Sequence, residues 1–115
     1  MGINELIESA HRNAKNKGFW EDWHQAISTG VATERIRKNM QNNAIGNRLM
    51  LISGEVSEAH EALRKKDSAN FAEELADIVI RVADLCGGLN IDLEQEVIKK
   101  MKINESRPYK HGKEF

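Results

Sequence analysis

The 115-residue chain has a single cysteine, Cys86, and a single proline, Pro108. A lone thiol excludes an internal disulfide and a cysteine-rich zinc site, and the expected role for Cys86 is that of a small buried hydrophobe. No apolar run approaches the roughly 18 residues of a membrane-spanning helix, and the N-terminus lacks a basic segment followed by a long apolar core. A soluble, cytoplasmic protein without a membrane partner is the expectation. The formal net charge is −1, so bulk electrostatics favour neither a nucleic-acid polymer nor an anionic membrane surface as a partner. Strand-like alternation, internal repeats and low-complexity tracts are also lacking.

What remains is helical rhythm. A chain of this length forms one domain, 1–115, and buries roughly 65% of its unfolded surface on folding. Ile3, Leu6, Ile7, Ala10 and Ala14 follow the spacing of an amphipathic helix that Gly18 can close. Residues 18–30, GFWEDWHQAISTG, read as an irregular stretch holding Phe19, Trp20, Trp23 and His24. Thr33 can cap a short helix to about Asn39. A longer one runs from about Asn43 to Arg64 with Leu49, Ile52, Val56, Ala59 and Leu63 as its core stripe. KKDSA forms the following turn. Asn70 with Glu73 has the capping-box pattern, and Leu75, Ile78, Val79, Val82 and Leu85 form the next stripe, ended by Gly87 and Gly88. Asp92 with Gln95 caps a last helix to about Asn104, and Pro108 forbids its simple continuation past Arg107. The fold class is all-α, a bundle of four to five helices.

Acidic residues are concentrated where these helices turn. Glu55, Glu58, Glu74 and Asp77 form ExxE and ExxD motifs either side of the turn. At about 100° per residue, each pair is displaced from its own apolar stripe by roughly 75–140° in the same sense. A short connection favours antiparallel neighbours, which places both pairs on one side. Four converging carboxylates must protonate in part or bind a cation, and an oxygen-only set suits Mg²⁺, with Mn²⁺ as a substitute. The competing reading is a solvated face in which the acids pair with Arg81, Arg64 or Lys66. Residues 98–113 hold six basic residues against Glu105 alone, a balance that suits an anionic ligand carried by a metal cation.

The pattern ExxE, fifteen intervening residues, then ExxD, together with HRNAKNKGFW, GEVSEAHEALRKKD, EELADIVIRVADLCGGLNIDLEQ and KMKINESRPYKHGKEF, resembles the MazG-like all-α nucleoside triphosphate pyrophosphohydrolases. The resemblance implies Mg²⁺-dependent cleavage of a nucleoside triphosphate to the monophosphate and pyrophosphate. It makes Glu55, Glu58, Glu74 and Asp77 metal ligands and Glu58 the candidate catalytic base. Lys100, Asn104 and Arg107 occupy positions similar to the family's phosphate contacts, and Phe19, Trp20, Trp23 and His24 are candidates for contacting the base. It further implies a homodimer or homotetramer in which oligomerisation completes the bundle, with dNTPs, dCTP foremost, as substrates in nucleotide-pool house-cleaning.

Three alternatives carry less of the sequence. One is a phosphoribosyl-ATP pyrophosphohydrolase, which shares the helical plan. Another is a non-catalytic helical interaction module. The third, a ferritin-like metal-carboxylate protein, wants Glu-x-x-His on two helices, and the chain has only Glu8 with His11. His11, beside the first apolar stripe, is expected to be a hydrogen-bonded structural histidine.

Overall fold

The computed structural model describes residues 1–28 and 33–115. Five α-helices and no strand occur among them: α1 (Ile3–Asn16), α2 (Glu21–Ser28), α3 (Glu34–Arg64), α4 (Ser68–Leu89) and α5 (Leu93–Glu105). None is long and apolar enough to cross a membrane.

Of the stretch 18–30 read as irregular, residues 21–28 form a helix. Gly18 adopts a left-handed φ of +87°, open to glycine without steric cost, and the chain turns there and enters α2. Glu21 and Asp22 occupy the first turn of that helix, where carboxylates complement the helix dipole. Thr29 and Gly30, the end of the expected irregular stretch, lie outside the described residues.

The expected short helix from Thr33 and the helix from Asn43 are one continuous element, α3. Thr33 caps it, its hydroxyl accepting from Ile36 N–H at 3.3 Å. Asp67, not Asn70, caps α4, with Oδ1 accepting from Asn70 N–H at 3.0 Å. Asp92 caps α5 as expected, accepting from Gln95 N–H at 3.2 Å.

Gly87 and Gly88 do not end α4 but lie within it, where α1 and the turn after it press close. A β-carbon on Gly87 would fall 2.6 Å from His11 Cβ, and one on Gly88 would overlap the ring of Trp20. Helix α4 ends instead at Asn90, left-handed at φ 55°, with Ile91 N–H donating to the Cys86 carbonyl at 3.0 Å.

Helix α4 packs against both α3 and α1, α2 lies on α3, and α5 leans on α1. The fully buried positions are mostly small: Ala10, Ala44, Ala59, Ala62, Ala83 and Cys86, with Trp20 the one large side chain among them. Small residues let helix axes approach, which explains why the expected apolar stripes are only partly used. On α3 the heptad-spaced Leu49, Val56 and Leu63 are 52%, 51% and 61% exposed, and Leu75 and Val79 on α4 are also exposed. The accessible surface, 8860 Å², exceeds the roughly 6,300 Å² of a compact monomer of this mass. The radius of gyration, 17.4 Å, likewise exceeds the roughly 13 Å expected.

Candidate metal centre and its cleft

Helices α3 and α4 are joined by only Lys65, Lys66 and Asp67, with Lys66 in the left-handed region at φ 59°. Glu55 on α3 pairs with Arg81 on α4, whereas Glu58, further along α3, meets Glu74, earlier on α4. Contacts that advance along one helix retreat along the other, so the two run antiparallel.

Glu55, Glu58 and Glu74 each bring a carboxylate oxygen within 4.8 Å of the other two. The cause lies in the helix repeat. Glu55 and Glu58 stand four residues before the buried Ala59 and Ala62, so both acids lie along the side of α3 that turns toward α4, Glu55 half-buried there and Glu58 exposed at its margin. Asp77 falls outside this three-membered group and is exposed. It lines the neighbouring cleft together with Glu55.

The electrostatics of the trio are uneven. Arg81 Nε donates to Glu55 Oε1 at 2.9 Å. Burial acts to raise the Glu55 carboxyl, but the hydrogen bonds with Arg81, Glu74 and Glu58 outweigh it and hold the group below its ordinary value. Glu74 goes the other way. Desolvation first, then hydrogen bonding and repulsion with Glu55 and Glu58, push it up to about 7. Glu74 as a residue is half-buried, yet its Oε2 is withdrawn from water and has no hydrogen-bond partner. An unpartnered buried carboxylate oxygen calls for a proton or a cation. A hard divalent ion fits this donor set, because all three ligating groups are carboxylates. Glu61, by contrast, pairs with Arg64 and Lys65 on the exposed side of α3.

A cleft of about 680 Å³ opens beside the trio, walled by α1, the turn after it, α2, α3 and α4. Phe19, Leu51 and Ile80 supply apolar wall, and Asn13, Gln25 and Asn47 supply amides. Phe19 is 67% exposed and available to a ligand. Trp20 is not: at 2% exposure it is a core side chain. Its Nε1–H donates to Asp84 Oδ1 at 2.8 Å, the Arg48 guanidinium lies 3.9 Å over its ring, and His11 meets it edge-on. This corrects its assignment as a base contact. Trp23, half-buried edge-on to Trp20, and the exposed His24 are not among the cleft-lining residues.

Lys100, Asn104 and Arg107 are exposed on α5 and just beyond it, and no α5 residue lines the cleft. Arg107 Nη1 donates to His111 Nδ1 at 3.2 Å. The chain by itself therefore does not gather the acidic and basic clusters into one wall.

Three residues that periodicity does not single out organise the cleft. Arg48 forks onto Asp22 at 2.7 and 3.0 Å and donates to the Phe19 carbonyl at 2.9 Å, fastening α2 to α3. The Asp22 carboxyl is held below its ordinary value, chiefly by its hydrogen bond from Arg48. Asp84 receives both Trp20 and His11, whose Nδ1–H donates to Oδ1 at 3.0 Å. The sequence does carry one signal for it, an acid inside the apolar run VADLCGG, since a carboxylate within a packed face needs partners. His11 is thereby the hydrogen-bonded structural histidine expected of it.

No curated protein and no solved structure matches the chain. The model of the MazG nucleotide pyrophosphohydrolase domain matches residues 46–108, more than half of the chain, from the second half of α3 through both acidic motifs to Pro108. The chain, with its all-α fold and paired acidic helices, belongs to the MazG nucleotide pyrophosphohydrolase family.

Proposed function

We propose that this protein is a Mg²⁺-dependent nucleoside triphosphate pyrophosphohydrolase. It would split (d)NTP into (d)NMP and pyrophosphate, with dNTPs, dCTP foremost, as substrates in nucleotide-pool house-cleaning. The family supports nucleotide pyrophosphohydrolase activity in general. The observation that carries the metal-dependent reading is the Glu55, Glu58 and Glu74 trio with its unpartnered Glu74 oxygen, at the edge of a cleft of about 680 Å³. Domain 1–115 acts as one unit, because α1, the turn after it and α2, outside the family match, build half of that cleft.

Glu55, Glu58 and Glu74 would hold the ion, with Asp77 completing the set from the cleft wall. Bound Mg²⁺, or Mn²⁺ in its place, would neutralise phosphate charge and polarise the reacting phosphorus. Hydrolysis adds water across the α–β anhydride: a P–O bond forms to water, the bridging P–O bond breaks, and pyrophosphate leaves. Glu58, the exposed member of the trio, accepts the proton from the attacking water. Arg81 holds Glu55 ionised and oriented.

Charge on the leaving pyrophosphate needs cations that the cleft does not have free, because Arg48 and Arg81 are both committed to carboxylates. Lys100, Asn104 and Arg107 are the proposed source, contributed from a second copy in a homodimer or homotetramer. The excess accessible surface and the exposed Leu49, Val56 and Leu63 line support such an assembly.

The test is release of pyrophosphate from a nucleotide panel with Mg²⁺. Turnover that needs the metal and falls at least about a hundredfold in Glu58→Gln and Asp77→Asn is expected. Unchanged turnover in both variants would overturn the assignment of the site.

A further inference from the structure

We infer that Asp84 reads the nucleobase, and that the cleft selects bases bearing an exocyclic amino group, as in cytosine, adenine and guanine, over uracil and thymine. The inference rests on the nucleotide-hydrolase reading above and deepens it.

Asp84 lines the cleft on α4, seven residues past Asp77, hence about 10 Å along the helix at ~1.5 Å per residue. A nucleoside whose phosphates lie at the acidic trio spans that distance. The cleft also sets which end enters. Glu21, Asp22 and Asp84 line it together with Glu55 and Asp77, against only Arg48 and Arg81, and those two guanidiniums are paired with Asp22 and Glu55. An unshielded triphosphate is repelled from such walls, whereas N–H donors are drawn to them.

Within that wall Asp84 is the preorganised acceptor. Trp20 Nε1–H and His11 Nδ1–H both terminate on Oδ1, at 2.8 and 3.0 Å, which fixes the carboxylate. Oδ2 has no hydrogen bond among the described residues, and the side chain keeps 20% of its surface open. The oxygen left to the cleft is acceptor-only. It pairs with an amino N–H and opposes the carbonyl that uracil and thymine carry at the same edge. Uracil and thymine keep an imide N3–H, but with O4 in place of the amino group that donor lies one ring atom away and beside a repelling carbonyl, so the aligned hydrogen bond to Oδ2 is lost.

Two measurements test this. With Mg²⁺, kcat/KM for dCTP, dATP or dGTP should exceed that for dUTP and dTTP by at least about tenfold. Asp84→Asn retains an oxygen for Trp20 and His11 but turns an amide N–H₂ to the cleft. It should lower kcat/KM for the favoured base by about tenfold or more and shift the ratio toward dUTP, with thermal stability retained. Separately, with no metal present, quenching of tryptophan fluorescence should show deoxycytidine binding ahead of deoxyuridine in the wild type and the difference lost in the variant. Equal use of dUTP and dCTP, an unchanged ratio in Asp84→Asn, or metal-free binding blind to the amino group would each overturn the inference while leaving the hydrolase reading intact. Should no triphosphate be hydrolysed, that reading fails by itself and the metal-free titration still decides the role of Asp84.

Discussion

Metal binding should expel a proton, and Glu74 determines how many. Its carboxyl sits at about 7, raised by desolvation and by Glu55 and Glu58, and a cation binds only the ionised form. At pH 6 the group is then about 90% protonated, at pH 7 about half, and at pH 8 about 10%. Apparent Mg²⁺ affinity should accordingly rise about tenfold between pH 6 and pH 8, with about half a proton released per ion at pH 7. Calorimetric titration in buffers of different ionisation enthalpy reads that number directly. Stability of the metal-free protein moves with the opposite sign. Between its ordinary value of 4.5 and about 7, the native state binds more protons than the unfolded chain. The contribution of Glu74 to stability therefore falls as pH rises through that window and is flat on either side. Added Mg²⁺ should restore it at pH 8, and Glu74→Gln should remove the pH dependence. Proton release near zero at pH 7, with metal affinity flat from pH 6 to 8, would refute the assignment of Glu74 to a shared, desolvated site.

Three further outcomes follow from packing. Gly88→Ala would drive a methyl into the Trp20 ring, so denaturant unfolding should show a loss of about 1–3 kcal/mol; Gly54→Ala, with open space around it, should gain about 0.5–1 kcal/mol from helix propensity. If the proposed homodimer or homotetramer is built on the heptad line, Val56→Asp, at a position 51% exposed in the chain, should reduce the sedimenting species to a folded single chain; an unaltered sedimentation profile would show that the heptad line is not an interface.

Much of the architecture is legible in the order of residues alone. The helical class, the caps at Thr33 and Asp92, and the approach of the acids at 55, 58 and 74 all follow from short-range rules of spacing and hydrogen bonding. The departures share one cause. Gly87 and Gly88 read as a stop because glycine disfavours helix interiors, yet packing against His11 and Trp20 needs the absent β-carbons more than the helix needs propensity. Leu49, Val56 and Leu63 read as core because periodicity marks an apolar face without saying what covers it. Within the chain, alanines take that place.

The sequence by itself therefore determined that the chain is helical, where α1, α4 and α5 lie to within a few residues, and that acidic pairs flank one turn, since all of these depend on residues within a few positions of one another; it did not show α2 or the continuity of α3. Only the tertiary structure decided that Trp20 belongs to the core and that Asp77 stands apart from the trio. It also decided that Glu74 keeps an unpartnered oxygen and that Asp84 faces a cleft. Those outcomes depend on how closely α1, α2, α3 and α4 approach, and that spacing is set by contacts between residues far apart along the chain.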